Sequence, residues 1–234
     1  MKFKQYINES INDKGILKAC FMAGQPGAGK TFVINKITGG SVQPKVINTD
    51  TWAEFYKAYG DKEWDKYGNK IKTLTKNQLS LYLNSMLPLW VDGTSSLPNA
   101  VVRRRGIVES IGYDTAFIWV DTSLETAIER QQLRDRKVNP DEITKIYNNI
   151  QPLKDYYKHH FRNFIVIDNN KGEFTDSVVL GAYRKMSGWF TEPLKNPIGT
   201  MLVDRMTEKG DKYLTDSEYT MPQLKNLVEG WYRH

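Results

Sequence analysis

Residues 21–31 read FMAGQPGAGKT. Gly24 and Gly29 stand five apart and are followed by Lys30 and Thr31, which completes the pattern G-x-x-x-x-G-K-[ST]. No other stretch restricts the fold as strongly. The backbone N–H groups of such a loop must converge on one polyphosphate, so a buried strand has to deliver the loop and a helix has to leave it with its N-terminus facing the anion. The flanks supply both: the apolar run LKACFMA (17–23) precedes the loop and TFVINKI follows it. Gly24, Gly27 and Gly29 allow the tight turn and the close approach, while Gln25, Pro26 and Ala28 complete the cradle. Lys30 is placed for the β- and γ-phosphates and Thr31 for Mg²⁺.

Four more short apolar runs follow: KVIN (45–48), PLWVD (88–92), TAFIWV (115–120) and NFIVID (163–168). Stretches of helical periodicity such as SLETAIERQQLRD separate them. Five strands alternating with helices predict an α/β fold: a five-stranded parallel sheet with helices on both faces. Ligands of such sheets sit at the carboxyl ends of the strands. That rule gathers the loop 24–31, Asp50, Asp92 and the segment after 120 into one site.

Asp50 ends the segment INTD and suits two roles. It can take a proton from an attacking hydroxyl, or, like Thr49, it can cap the helix that begins TWAEFY. Asp92, in WVDGT, reads either as a Mg²⁺ ligand or as a simple Asp-Gly turn. The run ERQQLRDRKVNP carries Arg130, Arg134 and Arg136. Arg130 and Arg134 are four apart, hence on one helix face. Guanidinium groups clustered in this way stabilise a phosphoryl group in transfer. Pairing with Glu129 and Asp135 on a solvated face is the alternative.

Size and composition narrow the class. A chain of 234 residues with 40% hydrophobic and 26% charged residues can bury a core of its own. No apolar run approaches the roughly 20 residues that span a bilayer, so no membrane partner is expected. The sole cysteine, Cys20, lies in an apolar run and reads as a core thiol. The net charge is +6, and residues 191–234 hold seven acids against six bases, so the basic excess lies in the first 190 residues. That excess suits an anionic partner such as nucleic acid. The expected organisation is an N-terminal segment (1–14), a nucleotide-binding domain (15–190) and a small C-terminal appendage (191–234) that carries three prolines.

Taken together, GQPGAGKT, INTD, WVDGTSSLPNAVVRRR and ERQQLRDRKVNPDEITKIY resemble the 5′-hydroxyl polynucleotide kinases of tailed phages, within a wider group that includes zeta-toxin-type sugar kinases and adenylate-kinase-like enzymes. The likeness runs from about residue 17 to about residue 165. It implies the P-loop kinase fold, ATP and Mg²⁺, Asp50 as general base, Asp92 near the metal, and Arg130 and Arg134 as phosphate ligands, with Arg134 the transition-state donor. Two acceptor-holding arginines of that family are replaced here by Thr49 and Ala53. The expected acceptor is a hydroxyl on a nucleic acid, as in the polynucleotide kinases; the alternatives are a small hydroxyl compound (a nucleoside, nucleotide or nucleotide sugar) and a base-linked hydroxyl in modified DNA. On the nucleic-acid side, Arg103, Arg104 and Arg105 and the aromatic-lysine stretch with Lys57, Lys62, Lys66 and Lys70 are the candidates to hold phosphates. That stretch reads equally as a packed helix pair.

The N-terminus MKFKQYINES lacks a signal-peptide core, so a cytoplasmic location is expected. It also resembles leader peptides that direct internal proteins into phage heads and are cut after Ile-x-Glu, here Glu9. That resemblance implies an infected host and packaging into the virion, whereas an amphipathic first helix implies neither. A guanine-nucleotide switch fits poorly, because NNKGE (169–173) departs from Asn-Lys-x-Asp and no Asp-x-x-Gly follows the third strand. The in-chain arginines argue for a self-contained transferase over a motor ATPase.

Overall fold

The computed structural model describes residues 15–37, 44–58, 61–134, 138–170, 176–208 and 221–232. Glu9 and Arg136 lie outside these. The strands are β1 (Lys18–Ala23), β2 (Lys45–Ile47), β3 (Leu89–Val91), β4 (Asp114–Asp121) and β5 (Asn163–Asp168). All pair in parallel, in the order β2-β3-β1-β4-β5. The chain leaves β1 toward β2 and β3, then crosses back to β4. The reversal at β1 puts a crevice outside the carboxyl end of that strand, where an open sheet of this kind takes its ligand. The five strands and the parallel sheet expected from sequence are those of the structure.

Alternation along the strands divides the core into two layers. From β1, Cys20 and Met22 face one side with Ile118 and Val120 of β4 and Ile165 and Ile167 of β5. Helices α1 (Lys30–Ile37) and α8 (Asp176–Thr191) cover that side through Val33, Ile34, Met186, Trp189 and Phe190. Cys20 is a buried free thiol there. Ala19, Phe21 and Ala23 face the other side with Phe117 and Trp119. There lie α3 (Asp61–Asn84), α4 (Pro98–Ser110), α6 (Pro140–Ile150) and α7 (Lys154–His160), the last two joined by a 3₁₀ turn at Gln151–Leu153. The short α2 (Asp50–Phe55) and α5 (Leu124–Gln132) start at the carboxyl ends of β2 and β4.

The segment after residue 191 takes part in this second layer. Helices α9 (Pro197–Glu208) and α10 (Met221–Trp231) contribute Met206, Leu224, Val228 and Trp231 to the same core cluster as Phe21 and Phe117. Trp231 is 1% exposed, its ring stacked 6.2 Å from Phe21. Losing a buried Trp costs about 3–5 kcal/mol. Trp231→Ala is therefore expected to remove that much stability in denaturant unfolding followed by far-UV circular dichroism. A loss under about 1 kcal/mol would mean that α10 adds little to the fold.

The same helix accounts for the three arginines of α4. Arg103 Nε donates to Gly230 O at 3.1 Å and Arg104 Nε to Trp231 O at 3.0 Å, satisfying carbonyls at the end of α10. Arg105 pairs with Glu109 at 2.7 Å and donates to His160 O. The arginine run that the sequence offers to a nucleic-acid backbone is largely spent on joining α4 to α10 and α7. The aromatic-lysine stretch resolves as α2 packed on α3. Tyr56 and Tyr67 stack at 5.1 Å, with Lys70 and Lys66 over their rings, around Ala53, Ala58 and Ile71. Over residues 50–72, five lysines face five acids, so this surface carries no basic excess.

Candidate functional site

The loop 24–29 leaves β1 and wraps the N-terminus of α1. Gly27 has φ +84°, and a Cβ there would collide with the backbone of Ala127 in α5. Gly29 has φ +89°, and a Cβ would strike the Asn169 amide. The loop is therefore braced from behind. Asn169 Nδ2 donates to Ala28 O at 2.5 Å and Thr122 Oγ1 to the same carbonyl at 3.1 Å. Gln25, fully buried, turns its side chain inward and donates to Thr122 O at 2.6 Å. What Gln25 offers a ligand is its backbone. Pro26 is half-buried in the turn.

Lys30 Nζ donates to Gly24 O at 2.8 Å and reaches Gln25 O at 3.5 Å, so the ammonium lies across the mouth of its own loop. Desolvation holds its pKa below the ordinary lysine value, and Arg134 adds to that, while Asp92 and Asp50 oppose it. Thr31 is exposed on the first turn of α1.

Asp92, half-buried just past β3, has its pKa raised by desolvation and further by Asp50. Lys30, the Asn48 amide and the Gly93 N–H pull it back. Its Oδ2 accepts from Asn48 Nδ2 at 2.8 Å, and its Oδ1 is buried without a hydrogen-bond partner. Asp50 is the first residue of α2 and is exposed. Thr49, the residue before α2, makes no side-chain cap bond; Asn48 Oδ1 accepts from Asp50 N at 2.7 Å. Asn48 thus ties the Asp92 carboxylate to the backbone of Asp50. Nothing in the spacing of INTD distinguishes Asn48 from the neighbouring Thr49, so the sequence gives no sign of this role.

Arg130 lies over the loop: its Nη1 donates to Asn169 O at 3.0 Å and sits 3.8 Å from the position of a Gly29 Cβ. Arg134, past the end of α5, is exposed, and its charge reaches Lys30. The structure therefore gathers the loop, Lys30, Asp50, Asp92, Arg130 and Arg134 at one end of the sheet. It adds Asn48, Thr122, Asn169 and Ser95, which the sequence did not single out.

Ser95 has φ +55°, a left-handed backbone that costs a non-glycine residue free energy. Its Oγ donates to Met22 O at 2.7 Å, and its carbonyl accepts from Tyr157 Oη at 2.6 Å. These bonds pin the β3–α4 loop against β1. They shape a pocket of about 170 Å³ beside Asp92, lined by Phe21, Thr94, Ser95, Ser96, Val101 and Arg104 among others.

Asn48→Ala releases the Asp92 carboxylate and the backbone N–H of Asp50 at once. Deleting one partner of a hydrogen bond to a buried charged group costs on the order of 1–3 kcal/mol. If Asn48 orients reacting groups, kcat falls about ten-fold or more at temperatures where the variant is fully folded, and Asn48→Gln fails to restore it. A fall in melting temperature with kcat intact would make Asn48 a structural link only.

Three comparisons bear on this arrangement. A signal recognition particle receptor, FtsY, from Rickettsia conorii is 28% identical over 159 residues; these are 68% of this chain and 45% of that protein, so the chain spans less than half the length of this curated relative. A Chloroflexus aurantiacus structure, provisionally described as a kinase, aligns over 73% of this chain and 98% of its own at 15% identity, with a TM-score of 0.51. Shikimate kinase from Acinetobacter baumannii, in complex with shikimate, aligns over 74% and 96% at 19% identity, with a TM-score of 0.46. The fold is that of the P-loop kinases. The AAA domain family model matches residues 20–153, from inside β1 through the loop, both aspartates and both arginines to the turn before α7, and the chain belongs to that family.

Proposed function

We propose that this protein transfers the γ-phosphoryl group of ATP to the hydroxyl of a small molecule. The observation that carries this reading is the grouping of Lys30, Asp50 and Asp92 at the mouth of the phosphate loop, with a small pocket that Asp92 itself lines. A γ-phosphate at Lys30 and a hydroxyl in that pocket would meet between the two carboxylates.

The residues fit Mg²⁺. The buried, unpartnered Asp92 Oδ1 and the exposed Thr31 hydroxyl are two hard oxygen donors beside the loop. Among the described residues no group of three His, Cys, Asp or Glu side chains could cage a metal. That suits an ion which keeps several waters and takes its other ligands from phosphates. When bound, Mg²⁺ neutralises charge on the phosphate oxygens.

In this reading Lys30 exchanges its contacts with Gly24 O and Gln25 O for phosphate oxygens. Asp50 accepts the hydroxyl proton as the acceptor oxygen bonds to the γ-phosphorus, and the bond to the bridging oxygen breaks with its electron pair leaving on ADP. Arg130 and Arg134 stabilise the charge on the equatorial oxygens. The alternative acceptor, a polynucleotide 5′-hydroxyl, is favoured by the net charge of +6. Against it stand the engagement of Arg103 and Arg105 with α10 and α7 and the balanced charge of residues 50–72.

The test is incubation with radiolabelled ATP and Mg²⁺ against a panel of small alcohols and 5′-hydroxyl DNA and RNA. Label passing to a small acceptor supports the reading. Label passing only to oligonucleotides moves the acceptor to nucleic acid. Hydrolysis without transfer to any of them overturns the kinase assignment.

A further inference from the structure

The pocket beside Asp92 has one constituent that phosphoryl transfer does not require. Arg104 lines it from α4, one turn beyond Ala100 and Val101, which line the same wall. Arg104 is not fully committed to α10. Its Nε bonds Trp231 O, and its guanidinium lies 5.6 Å from the Trp231 ring centroid. Among the described residues no carboxylate stands within ion-pair distance of it, and its terminal nitrogens donate to no described group. A half-buried guanidinium without a counter-charge is costly. Desolvation, with Arg103 nearby, lowers its pKa, and only the phenolic Tyr232 opposes this.

The rest of the lining is chemically divided. Phe21, Val91, Leu97, Ala100 and Val101 form an apolar wall, and the Thr94, Ser95 and Ser96 loop forms a hydroxyl-bearing rim. Asp92, whose carboxylate is attracted by Lys30, lies at the end next to the phosphate loop. The volume of about 170 Å³ is below the ~300–1,000 Å³ of pockets that take drug-sized ligands.

From this juxtaposition we infer that the pocket is the acceptor site and that the acceptor is a small alcohol bearing an anionic group, which pairs with Arg104 while its hydroxyl points toward Asp92 and Asp50. The inference rests on the phosphotransfer reading and adds the substrate class to it. Carboxylate and phosphate share the chemistry that Arg104 recognises, since a guanidinium binds either through paired N–H donors. The apolar wall then meets the carbon skeleton, and Thr94 and Ser96 are positioned for further hydroxyls.

The test does not depend on transfer. The full chain is saturated with Mg²⁺ and a non-hydrolysable ATP analogue, so that the phosphate loop is filled, and is then titrated with orthophosphate, acetate and neutral acetamide by calorimetry. Binding of either anion, no binding of acetamide, about ten-fold weaker binding in Arg104→Gln and recovery in Arg104→Lys are expected. The better anion identifies phosphate or carboxylate as the group recognised. No anion binding, equal binding of acetamide, or binding unchanged in Arg104→Gln overturns the inference. Because Arg104 also holds Trp231 O, a second measurement uses the wild type alone: the Arg104 Nε–Hε resonance must shift when the better anion is added. Failure of the phosphotransfer reading shows separately, as ATP analogue binding without labelled product from ATP.

Discussion

Asp50→Asn is expected to lower turnover by about 10²- to 10⁴-fold, the usual contribution of a general base, while leaving ATP affinity within a factor of about two. The asparagine keeps the size of the side chain and the backbone N–H that bonds Asn48 Oδ1, so α2 keeps its start. The capacity to take a proton disappears, together with the negative charge that acts on Lys30 and Asp92. At about 1.4 kcal/mol per tenfold, the barrier rises by roughly 3–5 kcal/mol. Single-turnover kinetics on the acceptor found by labelling, alongside calorimetry of ATP binding, separates the two quantities. Wild-type turnover in Asp50→Asn would remove Asp50 from the reaction altogether.

Lys30→Met is expected to weaken Mg·ATP binding by about ten- to a hundred-fold or more, since charge-assisted hydrogen bonds are worth roughly 1.5–3 kcal/mol. A second expectation distinguishes this from unfolding. Burial lowers the pKa of Lys30 below that of the unfolded chain, so its charged form disfavours the folded state. The free energy lost to that charge is present in full below the folded-state pKa and is relieved as pH rises through it. Methionine carries no such penalty, so at neutral pH the nucleotide-free variant should be at least as stable as the wild type. Unchanged ATP affinity, measured by calorimetry, would end the assignment of the phosphate loop.

The loop and the sheet were legible because they follow local rules. GQPGAGKT admits one backbone path, and five apolar runs of strand length admit one class of sheet. The roles of single residues were less legible, because partners distant in sequence decide them. Arg103, Arg104 and Arg105 read as a basic patch until α10, over 120 residues later, supplies the carbonyls for two of them. Asn48, Asn169 and Ser95 are ordinary polar residues in sequence. They acquire their roles only when β3, β4 and β1 bring Asp92, Ala28 and Met22 against them. The tail read as an appendage because prolines and turn residues dominate its composition, and composition does not reveal that Trp231 fills the layer beneath Phe21.

The close approach of Gly27 to the backbone of Ala127 sets the two arginines proposed to bind phosphate apart in entropy. Because α5 seats directly on the loop and Arg130 is bonded to Asn169 O, Arg130 has already lost its rotamer freedom when the chain folds. Arg134, exposed beyond the last turn of α5, has not. Ordering such a side chain on binding costs about 0.5–1.5 kcal/mol. In the proposed reaction an incoming nucleotide would meet Arg130 as part of a finished surface, whereas Arg134 would still have to be ordered. An outlay of that kind is best met late, when the charge in transit is greatest and the return from a second guanidinium is largest.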